Sequence, residues 1–340
     1  MRKLFVIVAL CLGGLLAFAA AAELTFGTWF DSDPLDGLGL ARDKSTAIHA
    51  AALYEGGGDF TYHRDHWGFR GPGTNPARVT ILTVGGSTTD QPYLPDEATW
   101  QAVMEREFRA QGSEAVVANA GKDDQSTIGH LWALTEWFPK VPGLKPRFIL
   151  FYVGLADMVA DGRDAGPSTS RPEWARQHSF LWRQGARLFG NPRIRFANPP
   201  ADFAKAEWTD KPAQPDWRPE TPDATPAAFQ ERLRRLAQLS HDMGAVPVFV
   251  TQTRADFKTV DGKVLGMVEE GALNGVDHYR LLAQFNKATR EVCSDEGLLC
   301  LDLARELTFE PGDFYDYLHN TPQGAEKIGR WLASKLAGLV

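Results

Sequence analysis

The sequence predicts an α/β fold in which a parallel sheet carries helices on both faces. Three observations lead there. Short, mostly apolar runs recur at 79–84, 114–118, 147–154, 246–252 and 298–303. Segments with apolar residues at helical spacing separate them. Several of the runs end in glycine or asparagine beside small polar residues, as in TVGGSTTD (83–90), Asn119-Ala120-Gly121 and Gly154-Leu155-Ala156-Asp157. Strands alternating with helices imply right-handed crossovers and a covered parallel sheet. Sites in such sheets form beyond the carboxyl ends of the strands.

The elements follow in order. The strand at 79–84 hands over to Gly85, Gly86 and Ser87. A helix near 97–110 places Trp100, Val103, Met104 and Phe108 on one face. The short strand 114–118 ends at Asn119, a helix is expected near 126–138, and the most apolar strand is 147–154. Residues 158–224 break the rhythm and hold 9 of the 21 prolines, so they read as an excursion with short helices of its own, around 173–189. Thr225 is an N-cap with Pro226 in the first turn, and Gly244 ends that helix. Pro247 in the next strand requires a place near the strand start or a sheet edge. A mixed loop (254–277) leads to a helix from about His278 to Cys293, and the last helix is capped by Thr321 with Pro322 behind it. Residues 24–75 carry no clear periodicity.

Composition narrows the function classes. The 340 residues suit one large α/β domain or two small ones. A net charge of −7 argues against nucleic acid as a partner. No Cys/His cluster has zinc spacing and no lysine follows the glycines near Ser87, so neither a metal nor a nucleotide cofactor is expected. Arg2 and Lys3 precede the apolar run 4–22, and Glu23, Asp31, Asp33 and Asp36 follow it, which orients the chain N-in and C-out. Ala20-Ala21-Ala22 fits a cleavage site, while the length of the run fits a single membrane span, so signal peptide and membrane tether both stay open. Cys11 follows Leu10 rather than a small residue, which argues against lipidation. Either reading places the domain outside the cytoplasm, in the periplasm or cell envelope. There Cys293 and Cys300 form either a local disulfide or two buried thiols. The expected organisation is a leader (1–22), an N-terminal extension (23–75) and a main α/β domain (76–340) interrupted by the excursion at 158–224.

A serine hydroxyl needs a base to remove its proton and a third group to orient that base. His319 is the candidate base, because the segment DYLH sets Asp316 three residues before it, just ahead of the last helix. Ser87 is the candidate nucleophile. A developing oxyanion needs unobstructed backbone N–H donors, which Ser87 and Gly121 offer at strand ends; the plainer reading is that these glycines make tight turns. Other features have plain readings. Asp157 closes a strand and is expected to cap the next turn. His63 and His66 read as surface or packing residues, and RLRR (232–235) as a solvated helix face. Trp174, Trp182, Trp208 and Trp217 either glue the excursion to the core or form a sugar-stacking lid.

VGGSTTD, then NAG, then YVGLAD, then DYLHNTPQGAEKIGRWLA, in that order, resemble the SGNH (GDSL-like) hydrolase family from about residue 79 to the C-terminus. HWGFRGP upstream is similar to the segment before the serine in exported, membrane-tethered members. The resemblance implies a three-layer α/β/α sandwich of flavodoxin-like type with a five-stranded parallel sheet. It also implies ester hydrolysis through an acyl-enzyme, with Ser87 attacking, His319 as base then acid, Asp316 orienting, and Ser87 and Gly121 in the oxyanion hole. The expected substrate is a small acyl ester, such as an O-acetyl group on a glycan. The family's third block reads Gly-x-Asn-Asp, and Ala156 stands where its Asn donor would be. Three readings follow: two backbone donors suffice, Gln125 or Asn119 replaces the amide, or the site only binds. Transfer of acetyl to a sugar and non-catalytic carbohydrate binding are the alternative functions.

Overall fold

The computed structural model describes residues 2–30, 33–162, 175, 178–189, 200–269 and 272–340. In chain order its main elements are α1 (Arg2–Phe26), β1 (Lys44–His49), β2 (Asp59–Arg64), β3 (Val79–Gly85), α2 (Ser87–Asp90), α3 (Trp100–Ala110), β4 (Val116–Asn119), α4 (Thr127–Trp132), β5 (Phe148–Tyr152), α5 (Phe180–Phe189), β6 (Trp208–Thr209), α6 (Pro226–Asp242), β7 (Val246–Val250), β8 (Phe257–Val260), β9 (Lys263–Met267), α7 (Gly275–Glu296), β10 (Leu299–Leu301), α8 (Leu303–Glu306) and α9 (Pro322–Leu336). They fall into two compact units. One comprises Met1–Leu40 and Pro167–Arg193, the other Ala41–Gly166 and Ile194–Val340.

The larger unit is built on a five-stranded, all-parallel sheet in the order β10-β7-β5-β3-β4. The α/β fold with five parallel strands expected from the sequence is the fold observed. The chain moves from β3 outward to β4, then returns to β5 on the other side of β3. That reversal opens a crevice at the carboxyl ends of β3 and β5. One face of the sheet packs Ile81, Leu150, Tyr152 and Val248 against Trp100 and Met104 of α3 and Ile328 and Leu332 of α9. On the other, Phe151 stacks on Phe249 (5.0 Å), and Phe229 of α6 meets Phe285 of α7 (5.2 Å). Burying each such side chain contributes about 1.5–3 kcal/mol.

Local signals account for the boundaries. Thr225 accepts from the Ala228 N–H and Thr321 from the Gly324 N–H, each with proline behind it. Pro247 is the second residue of an internal strand. The Val246 N–H donates to Arg147 on the β5 side, so the donor missing at Pro247 would face β10, whose pairing begins only at Val248. Helix α7 starts at Gly275 rather than near His278, because Asn274 and Asp277 form a capping box. Cys293 and Cys300 are joined in a disulfide with Cα atoms 5.9 Å apart, between α7 and β10.

Two hairpins lay in stretches the periodicity did not resolve. β1 and β2 pair antiparallel within 24–75, and β8 and β9 pair within 254–277. β6 extends the second hairpin, Trp208 opposite Met267, and the Lys258 ammonium sits 3.8 Å from the Trp208 ring centre. Trp208 therefore ties its segment down, as the plainer reading of the tryptophans has it. The helix expected around 173–189 is observed as α5 (Phe180–Phe189), while Trp174 and residues 163–173, 176–177 and 190–199 of the excursion lie outside the described residues.

Candidate active site

β3 delivers the serine. Gly85 closes the strand where a Cβ would fall 2.1 Å from Thr89 Oγ1 and 2.6 Å from the Tyr152 carbonyl, so no other residue fits. Ser87 opens α2, and its N–H has no partner within that helix.

The turn before α9 delivers the histidine. His319 Nε2 lies 2.8 Å from Ser87 Oγ, and its Nδ1 lies 2.8 Å from Asp316 Oδ2. Asp316 Oδ1 accepts from the N–H groups of Leu318 (2.8 Å) and His319 (2.7 Å). A carboxylate only accepts, so His319 carries its proton on Nδ1 and turns an Nε2 lone pair toward the serine hydroxyl. Burial pushes the Asp316 carboxyl up, but the His319 hydrogen bond and charge and the two backbone donors outweigh it, leaving it below the usual carboxylate range. Ser87 is half-buried, and the His319 side chain retains 13% exposure, so the pair is reachable from solvent. The Tyr315 ring stacks on His319 at 5.7 Å and 12°, which fixes the imidazole plane. Burial and the nearby Asp316 charge push the Tyr315 phenol well above its ordinary value, so it stays neutral.

The N-terminal segment grips the turn that carries Ser87. Arg64, at the end of β2, pairs with Asp90 Oδ1 at 2.9 Å, donates to the Gly121 carbonyl at 2.7 Å and reaches the Tyr62 hydroxyl at 2.6 Å. That hydroxyl donates to Asp90. Arg70 donates to the carbonyls of Asp90 and Gln91 at the C-terminal end of α2 and to that of Leu94 in the turn beyond it. Both guanidiniums are buried. Sequence reasoning singled out HWGFRGP as a segment, yet missed Arg64, Arg70 and Asp90 as partners. The available signal was an acid three residues after the serine and two arginines in a turn-rich stretch. The histidines read as surface or packing residues do pair with acids, His63 with Asp96 (2.5 Å) and His66 with Asp43 (3.1 Å).

The expected oxyanion residues divide. Gly121 is committed elsewhere: its N–H donates to Asn119 Oδ1 (2.9 Å) and its carbonyl accepts from Arg64. Its lack of a side chain serves packing, because a Cβ there would lie 2.4 Å from the Asp90 nitrogen. The expectation that Gly121 offers a free amide is therefore corrected, and the tight-turn reading holds. We expect Gly121→Ala to shift α2 and cost about 1–3 kcal/mol, read as a lower urea midpoint. Asn119 is also occupied, since its Nδ2 donates to the Thr89 carbonyl. Gln125 is buried and lines, with Gly86, Ser87, Ala156 and Gln252, a cavity of about 30 Å³. Asp157 caps α4 through the Thr127 N–H (3.1 Å) and hydroxyl (2.5 Å) and pairs with Arg232 at 3.1 Å. Burial raises its carboxyl against the pull of Thr127 and Arg232. Arg232 is buried, so the reading of RLRR as a wholly solvated face fails at that residue, where an inward acid draws it in. A wider cleft of about 760 Å³ opens beside β4, lined by His63, Arg70, Asp96 and Asn119 among others; Ser87, Asp316 and His319 do not line it.

Residues 83–327 match the family described as GDSL-like Lipase/Acylhydrolase. Among solved structures the chain is similar to a carbohydrate acetylesterase from Sinorhizobium meliloti, at 11% identity and a TM-score of 0.44, covering 77% of this chain and 100% of that one. It is also similar to the aryl esterase of M. smegmatis, at 12% identity and a TM-score of 0.43, covering 76% and 99%. No curated protein matches the chain. The family match spans well over half of the sequence, from the strand that precedes Ser87 to beyond His319, and on it this chain belongs to the GDSL-like lipase/acylhydrolase family.

Proposed function

We propose that the chain is a serine esterase that hydrolyses small acyl esters through an acyl-enzyme. The observation that carries this reading is the unbroken line from Ser87 Oγ through His319 to Asp316, each link 2.8 Å. Ser87 attacks the ester carbonyl while His319 Nε2 takes the hydroxyl proton. His319 then returns that proton to the departing alkoxide, and Asp316 stabilises the imidazolium between the two events. A water, activated by the same nitrogen, releases the acid. The small cavity of about 30 Å³ beside Ser87 supports a short acyl group such as acetyl over longer chains. The apolar run 4–22 supports an exported enzyme, and acetylated envelope glycan is the substrate class we favour.

In this reading the oxyanion meets the Ser87 N–H and the Gln125 side chain, in place of the amide that Ala156 lacks. Gln125→Ala should lower kcat by about 10²–10³-fold, and Ala156→Asn in that background should recover most of the loss. An unchanged kcat in Gln125→Ala removes Gln125 from the hole. The overall assignment is tested with p-nitrophenyl esters of increasing chain length and with a fluorophosphonate probe. Turnover falling steeply beyond acetyl, with labelling abolished in Ser87→Ala, supports the esterase. Acetyl recovered on an added sugar rather than in solution would make the enzyme a transferase. A wild-type chain that neither turns over ester nor labels leaves a binding module.

A further inference from the structure

The unit formed by Met1–Leu40 and Pro167–Arg193 contains a junction that the catalytic reading does not use. α1 runs without a break from Arg2 through the three alanines to Phe26, and its apolar side chains are exposed: Leu10 71%, Leu16 71%, Phe18 73%. It is the one helix among the described residues long and apolar enough to cross a membrane. Glu23, one turn before its end, accepts hydrogen bonds from Ser179 Oγ (2.6 Å), the Phe180 N–H (3.0 Å), the Leu181 N–H (3.0 Å) and Trp29 Nε1 (3.0 Å). The two backbone donors are the first N–H groups of α5, so a carboxylate on α1 caps the next helix in space. Phe26 and Phe180 meet at 5.1 Å beside this cap.

Cleavage after Ala22 would undo the junction. Glu23 would become the first residue, with a new ammonium on its own α-carbon beside the capping carboxylate. The remaining helical turn, 23–26, is far shorter than an isolated helix that holds in water. The capped helix is also suited to a lipid surface. Its sequence, FLWRQGARLF, has five large apolar residues, two arginines and no acid. Leu181 and Trp182 are 43% and 54% exposed, and Leu24, Phe26 and Phe30 near the end of the span are 66%, 60% and 83% exposed. Exposed aromatics where an apolar span ends are the pattern of a membrane interface.

We propose that α1 remains attached as a membrane anchor and that α5, capped by Glu23, lies in the headgroup layer of the bilayer that α1 enters, with Leu181 and Trp182 against lipid. The proposal is independent of the esterase reading. The test uses the full chain in nanodiscs of phosphatidylcholine and phosphatidylglycerol. A Cys11→Ser background, with Cys293 and Cys300 bonded, carries bimane at Leu181→Cys or, as a control on the larger unit, at Thr259→Cys. Lipid spin-labelled at the headgroup should quench the probe at 181 at least threefold more strongly than at 259. Intact mass of protein recovered from membranes should include residues 1–22. Equal quenching at the two positions, or a mature chain beginning at Glu23, overturns the proposal.

Discussion

Ser87→Ala should lower kcat/KM for a short acyl ester by about 10⁴-fold or more and leave the protein folded. The size follows from the geometry. Ser87 Oγ bonds His319 Nε2 and sits just beyond the carboxyl end of β3, where a carbonyl carbon can approach. What survives is the background supplied by binding and by the oxyanion donors. His319→Ala should cost a similar factor, and the double variant little more than either alone, because serine and imidazole act as one unit. The half-buried hydroxyl has one side-chain partner, so the thermal midpoint of Ser87→Ala should stay close to wild type. Additive losses in the double variant, or turnover retained in Ser87→Ala, would take the chemistry away from this serine.

The largest expected effect on stability is at Arg64. Arg64→Met removes the guanidinium 2.9 Å from Asp90 and leaves that buried carboxylate with the Tyr62 hydroxyl and with Arg70 at 4.0 Å. Breaking a buried pair from one side costs about 3–5 kcal/mol, because the remaining charge keeps its desolvation penalty. For a domain of this size that lowers Tm by about 10 °C. Asp90→Asn added to Arg64→Met should recover part of the loss, since a neutral amide tolerates the vacated site better. Asp90 ends the helix that Ser87 begins, so the single variant should also react more slowly with fluorophosphonate below its unfolding range. A Tm within about 2 °C of wild type would show that Arg64 is not the anchor of that turn.

Much of the sheet was legible because parallel strands buried on both faces must be apolar along their length, as Phe148–Tyr152 is. Thr225 and Thr321 were legible because capping is local, settled within three residues of chain. The pair Asp316 and His319 was legible for the same reason. Arg64, Arg70 and Arg232 were not. Their partners Asp90 and Asp157 lie 26, 20 and 75 residues away in sequence, and an arginine's composition does not say whether it meets solvent or a buried acid. Gly121 misled because its sequence announces a missing side chain and not what fills the space. Its amide turned out to serve Asn119.

The amino-acid order alone determined the alternation of strands and helices, the glycine- and asparagine-bearing strand ends and the local pairing of an acid with a histidine. Each depends on near neighbours in the chain, where periodicity and capping act. Tertiary structure alone decided that Ser87 and His319 meet across a sequence separation of 232, that an upstream hairpin clamps the turn carrying Ser87, and which partner the Gly121 amide takes. Those outcomes depend on which buried charges and donors find partners once water is excluded, and that selection happens only when distant segments pack together.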